Sequence, residues 1–260
     1  MTQPHLLAIA GTSALVIAVS IVQAQAPFAG RGRRQPAGPE PANVAYDGRF
    51  TFVRLRYTPE AAGYYFRREP PWAHDYPTAE RHLARILREL TYLSPYMDGG
   101  NILTLDDPEL FKFPIAYMSE PGFWTLTDKE AAGLRAYLLK GGFLIFDDFR
   151  GPDWDNFASA MHRVMPESRL LPLDAAQPIF HSFFEIPSPA SFVPPYGGLP
   201  AEFYGVFEGN DPEKRLMIIA DYNNDIGEYW EFSDTGYAPI DLTNEAYKFG
   251  VNYIIYGMTH

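Results

Sequence analysis

The chain has 260 residues, enough for one large domain or two small ones, and its 47% hydrophobic and 20% charged residues suit a globular protein with a full core. Its formal net charge of −11 repels phosphate backbones and argues against nucleic-acid binding. It contains no cysteine, which excludes disulfides, thiolate metal sites and a cysteine nucleophile.

The first element is an address. Leu6 to Val22 form an apolar run broken only by small residues such as Gly11 and Ser20, and Ala24-Gln25-Ala26 follows as an A-x-A pattern suited to signal peptidase. Residues 1–26 therefore read as a signal peptide cut after Ala26 or Ala24, with a retained anchor as the alternative. The destination is periplasmic or otherwise exported, and no later segment is long and apolar enough to span a membrane. Residues 27–42, rich in Pro and Gly and carrying Arg31, Arg33 and Arg34, read as a flexible linker.

Residues 43–260 are expected to form a single α/β domain. Phe50 to Leu55 alternates apolar and polar residues as a strand does. Leu83, Ile86, Leu87, Leu90 and Leu93 recur at helical spacing. Short strands follow at Asn101 to Leu105 and Phe113 to Met118. Thr127 and Glu130 predict a capping box opening a helix with Ala131, Leu134 and Leu138 on its buried face and Gly141 at its left-handed exit. Phe143 to Phe146 is apolar on both faces, the mark of a central parallel strand. Phe157, Met161 and Val164 predict a helix, Leu216 to Ala220 a buried strand, and Glu245 to Met258 a closing helix. Pro187 to Gly209 reads as a long irregular insertion. Strands separated by helices imply a three-layer sandwich with a mostly parallel sheet.

Ligands of such sheets meet the carboxyl ends of the strands. Asp147 and Asp148 end the central strand, with Arg150 and Trp154 close behind. Two adjacent carboxylates can bind a cation, act as acid and base or hold sugar hydroxyls, or else one caps the next turn while the other pairs with Arg150. Asp221 to Asp225 has D-x-N-x-D spacing, but Ile226 stands where a calcium loop needs glycine and Phe232 where it needs Glu, so a polar turn is the better reading. Among the histidines, His181 and His74 are the better site candidates, although the neighbouring Asp75 can instead cap the helix after Pro77. Ser119, followed by Glu120-Pro121-Gly122, is placed near the cleft. No H-E-x-x-H, G-x-S-x-G, Walker loop or G-x-G-x-x-G is present, so no metal or cofactor is expected.

Several runs together carry a resemblance. They are Phe52 to Tyr57, Trp72-Ala73-His74-Asp75-Tyr76-Pro77, Phe113-Pro114, Gly141 to Phe149 with Trp154 and Phe157, and Gly250 to Tyr256. Over residues 50–260 the chain resembles a bacterial exported family of unknown function with a glutamine-amidotransferase-like fold. Relatives of that fold include trehalose-utilisation-type proteins, and some family members are encoded with MoxR-type ATPases and von Willebrand-type proteins. The resemblance implies a flavodoxin-like, doubly wound sheet and a role in an envelope assembly. Class I amidotransferases attack glutamine with a cysteine, which this chain lacks, so glutaminase activity is not implied.

The sequence thus leads to an exported envelope domain that binds a small-molecule ligand or a protein complex, without catalysis, at Asp147, Asp148, Arg150, Trp154, Asp221 and His181. The alternative is a hydrolase or carbohydrate-active enzyme using Asp147 or Asp148 as general base.

Overall fold

A computed structural model describes residues 42–60 and 69–260; the signal-peptide assignment and nearly all of the linker lie outside them. A seven-stranded sheet has the order β3-β1-β4-β6-β9-β8-β7. Its first five strands are parallel: β3 (Gly100–Thr104), β1 (Phe52–Arg56), β4 (Ile115–Ser119), β6 (Phe143–Phe149) and β9 (Leu216–Tyr222). β8 (Glu202–Phe207) runs antiparallel to β9, and β7 (Leu171–Pro172) antiparallel to β8. β2 (Thr58–Pro59) and β5 (Trp124–Thr125) form a separate two-stranded pair beside it.

Among the described residues, five α-helices cover the two faces. α2 (Asp128–Leu139) and α3 (Asp153–Val164) bury Leu134, Leu138, Phe157 and Val164 with Leu144, Phe146 and Ile218 from the sheet. On the opposite face, α1 (Thr78–Leu90), α4 (Ile226–Glu231) and α5 (Ile240–Thr259) pack Leu83, Leu87, Trp230 and Tyr253 against Phe143, Ile145 and Ile219. The strand residues alternate between the two cores because successive side chains of a strand point to opposite faces. Among the described residues no helix is long and apolar enough to cross a membrane.

The local signals of the sequence translate directly in several places. Thr127 accepts from the Glu130 amide while the Glu130 carboxylate accepts from the Thr127 amide at 2.7 Å, the expected capping box. Gly141 has φ +111 at the exit of α2, a conformation in which a Cβ would be strained. β6 lies in the middle of the sheet and every one of its residues is buried.

Two expectations are corrected. The 187–209 stretch is not irregular throughout, because its last part is β8, which pairs with β9 from Glu202↔Tyr222 onward. Asp75 does not cap α1 with its side chain. Pro77 takes the cap position without a side-chain bond, and Asp75 contributes its backbone carbonyl to the Ala79 amide.

The topology sets where a ligand meets the sheet. From β1 the chain moves outward to β3, then returns to the other side of β1 as β4. The strand order therefore reverses between β1 and β4, and the crevice at a parallel sheet's carboxyl edge opens at such a reversal.

Candidate functional site

Ionisable groups from four segments converge at that edge. The segment ending in Pro71–Ala73 brings His74 and Asp75, the exit of β4 brings Glu120, the end of β6 brings Asp147 and Asp148, and the start of α4 brings Asp225 and Glu228. All but Glu228 are buried.

The two carboxylates of β6 have different partners, and the backbone explains why. The register of β6 against β9 shifts between Phe146 and Phe149, and Asp148 has φ +56. Aspartate is among the few residues that visit this left-handed region readily, so a local irregularity redirects one side chain. Asp147 continues the face of Ile145 and meets the start of α4. Its Oδ1 accepts from the Ile226 amide at 3.0 Å, and its Oδ2 from the Gly227 amide and the Tyr117 hydroxyl, both at 2.8 Å. Burial pushes the Asp147 carboxyl up to about 6, against the downward pull of the two amides and the hydroxyl. Gly227 is required at this contact, because a Cβ there would stand 2.6 Å from Asp75 Oδ2 and 2.9 Å from the Tyr117 hydroxyl.

Asp148 instead meets His74. The imidazole Nδ1 bonds Asp148 Oδ2, and Glu120 Oε1 lies 3.2 Å from the same nitrogen. A carboxylate only accepts, so Nδ1 carries the hydrogen. On the other side of the ring, Nε2 is 3.7 Å from Asp75 Oδ1. His74 is 9% and Asp148 6% exposed, whereas Asp147, Asp221 and Asp225 are at 0%. His74 and Asp148 are thus more open to solvent than those three aspartates.

The backbone beneath these groups is fixed by a buried ion pair. Arg54 Nε is 2.5 Å from Glu80 Oε1, while Arg54 Nη1 donates to the carbonyls of Trp72 at 3.1 Å and His74 at 2.8 Å. Glu120, left-handed at φ +49, is held by its own amide on the Asp147 carbonyl and by the Tyr57 hydroxyl on its carbonyl at 2.6 Å.

The other residues singled out in the sequence fall elsewhere. Asp221 lies deeper in the core, where Tyr253 donates to its Oδ1 at 2.8 Å and its Oδ2 has no hydrogen-bond partner among the described residues. Burial, and then the nearby Asp147 charge, drive its carboxyl well above the usual range. The Arg150 guanidinium sits 3.9 Å from the centroid of the Tyr196 ring, and Tyr196 donates to Asp225 Oδ2 at 3.0 Å. Trp154 packs on Tyr204 and Tyr222 at 4.5 and 4.9 Å, in the core on the α2–α3 face. His181 stands apart, with Nδ1 on Glu185 at 2.5 Å and Nε2 on the Ala175 carbonyl at 2.6 Å. The Gly151-Pro152 turn is tied by Asp153 Oδ2, which accepts from the Arg150 amide, and by Asn223 Oδ1, which accepts from the Gly151 amide. Asp225 caps α4 by accepting from the Glu228 amide at 2.8 Å.

Of the sequence candidates, Asp148 and His74 belong to the imidazole centre itself. Their partner Glu120 carried a weaker signal, a strand exit ending in Glu-Pro-Gly. Two cavities, of about 200 Å³ beside Met161 and Val206 and about 100 Å³ beside Phe192 and Phe249, touch none of these groups. Convergent chemistry, and neither of these two cavities, marks the candidate site.

No curated protein sequence matches the chain. The family described as Domain of unknown function (DUF4159) matches residues 51–258, from β1 through nearly the whole of α5, and the chain belongs to that family.

Proposed function

We propose that this chain is an exported envelope domain that binds a small-molecule ligand or a protein partner at the carboxyl edge of its sheet, with His74 and Asp148 as the contacting pair. One observation carries this reading: three separate segments bring His74, Glu120 and Asp148 to a single imidazole nitrogen beside the strand-order reversal. Export follows from the leader-like residues 1–26. A flavodoxin-like or glutamine-amidotransferase-like arrangement is consistent with five parallel strands between two helical layers. The likeness of the motifs to families encoded with MoxR-type ATPases favours a role in an envelope assembly.

The test is a thermal-shift screen of the full chain against sugars, amino acids and polyamines, repeated with Asp148→Asn and His74→Gln. A compound that raises the melting point of the parent chain and of neither variant supports the reading. Shifts identical in all three proteins would remove the centre from binding.

A second reading, hydrolysis, draws support from the His74–Asp148 pair, since an imidazole fixed by a carboxylate is a competent proton carrier. Asp147 is a poor general base because its oxygens are taken by two amides and a hydroxyl. Turnover of glycoside or ester substrates that disappears in His74→Gln would select this reading over simple binding.

A further inference from the structure

We propose that His74 Nδ1, one oxygen of Glu120 and one oxygen of Asp148 form a three-ligand site for a divalent first-row cation, Zn2+ or Mn2+. The inference rests on the reading that this centre is the functional one, and it names the chemistry that the centre takes.

Their donor atoms all lie within 4.8 Å of one another. An ion bound about 2.0–2.2 Å from imidazole nitrogen and carboxylate oxygen draws its donors to comparable separations. A single Nδ1 hydrogen faces two carboxylates, Glu120 Oε1 at 3.2 Å and Asp148 Oδ2. Replacing that proton by a cation lets both oxygens and the nitrogen serve at once, with the proton released to solvent. One nitrogen and two carboxylate oxygens suit zinc and manganese, and three protein ligands leave coordination positions open for a bound molecule.

A second observation lies on the far side of the ring. Ligating histidines usually present their other nitrogen to a carboxylate, which sets the tautomer and the ring plane. Asp75 Oδ1 stands 3.7 Å from His74 Nε2, and Glu228 also has an oxygen within reach of that side. The ligands are held by rigid backbone, since Arg54 grips the His74 carbonyl and Tyr57 the Glu120 carbonyl. Spacing motifs in the sequence could not reveal this set, because each ligand leaves a different element.

The test is isothermal titration of ZnCl2, and separately MnCl2, into the full chain after EDTA treatment. One equivalent of at least one metal should bind. Binding should be lost in Glu120→Gln and Asp148→Asn, and weakened roughly 10–100-fold in Asp75→Asn, whose carboxyl faces the other ring nitrogen. Should a variant fail to fold, electron spin echo spectra of the parent chain with Mn2+ still decide, because they must show coupling to one imidazole nitrogen. Absence of saturable binding, binding kept in both ligand variants, or bound Mn2+ without nitrogen coupling would each overturn the site. A ligand shift lost in Asp148→Asn without any metal binding would leave the binding reading standing and reject only the metal. Metal binding with no ligand found would do the reverse.

Discussion

Asp221 and Asp147 are two buried carboxyls with opposite degrees of hydrogen bonding, and they make separate predictions. Asp221 has one hydrogen bond and a carboxyl held well above its ordinary value by burial. A raised native value means that the folded chain favours the proton. Its stabilising contribution is complete below the unfolded value near 3.9 and fades as the pH rises toward the native one. Asp221→Asn keeps an oxygen for Tyr253 and removes the buried charge. Its stability advantage over the parent should therefore grow as the pH rises from about 4, measured by urea denaturation across the range. A constant difference would mean that burial does not raise the Asp221 carboxyl above its unfolded value. Glu120 was the residue least legible in the sequence, and His74 was a candidate there without its partners. Nothing in a lone His-Asp pair or a Glu-Pro-Gly turn says that both reach the end of a third strand.

At the scale of the element, the decisive contact is between β6 and the first turn of α4. Gly227 leaves room for Asp75 and the Tyr117 hydroxyl where any side chain would collide. Gly227→Ala should cost about 1–3 kcal/mol in a urea melt, the usual range for overpacking, and an unchanged midpoint would show that α4 can shift at no cost. The capping box of α2 gives a milder case. Thr127→Ala should lose about 1 kcal/mol, read by the same melt. These local devices were legible because the cap and the apolar strand are written within a few consecutive residues. β8 was not, since its Phe203-Tyr204 and Val206-Phe207 are separated by Gly205 and preceded by a Pro-rich stretch. Its strand character comes from pairing with β9, a contact that propensity does not encode.

For the whole molecule, the two cores lie on opposite faces of one sheet and share the strands β1, β4, β6 and β9. Neither core can melt without freeing strand residues that bury the other. Residues 43–260 should thus unfold in one transition, with tryptophan fluorescence and far-ultraviolet dichroism coinciding; two separated transitions would divide the domain. The same sheet explains why the carboxyl edge suits function. Strands buried on both faces hold the backbone still, while the residues just past their ends are freed from packing and can carry charge. The cost of that charge falls on burial, which Asp147 offsets with two amides and a hydroxyl.

The division of labour within the Asp147-Asp148 pair is the central claim, and a paired urea denaturation of Asp147→Ala and Asp148→Asn tests it most directly. Asp147→Ala leaves the Ile226 and Gly227 amides and the Tyr117 hydroxyl without their acceptor, at about 1–3 kcal/mol for each group that stays unpaired. Asp148→Asn keeps an oxygen acceptor for His74 and a residue type that tolerates the left-handed backbone, so it should cost about 1 kcal/mol or less. A large loss for Asp147→Ala beside a small one for Asp148→Asn is the predicted result. Equal losses, or a larger loss at Asp148, would contradict the account and make both carboxylates part of the scaffold.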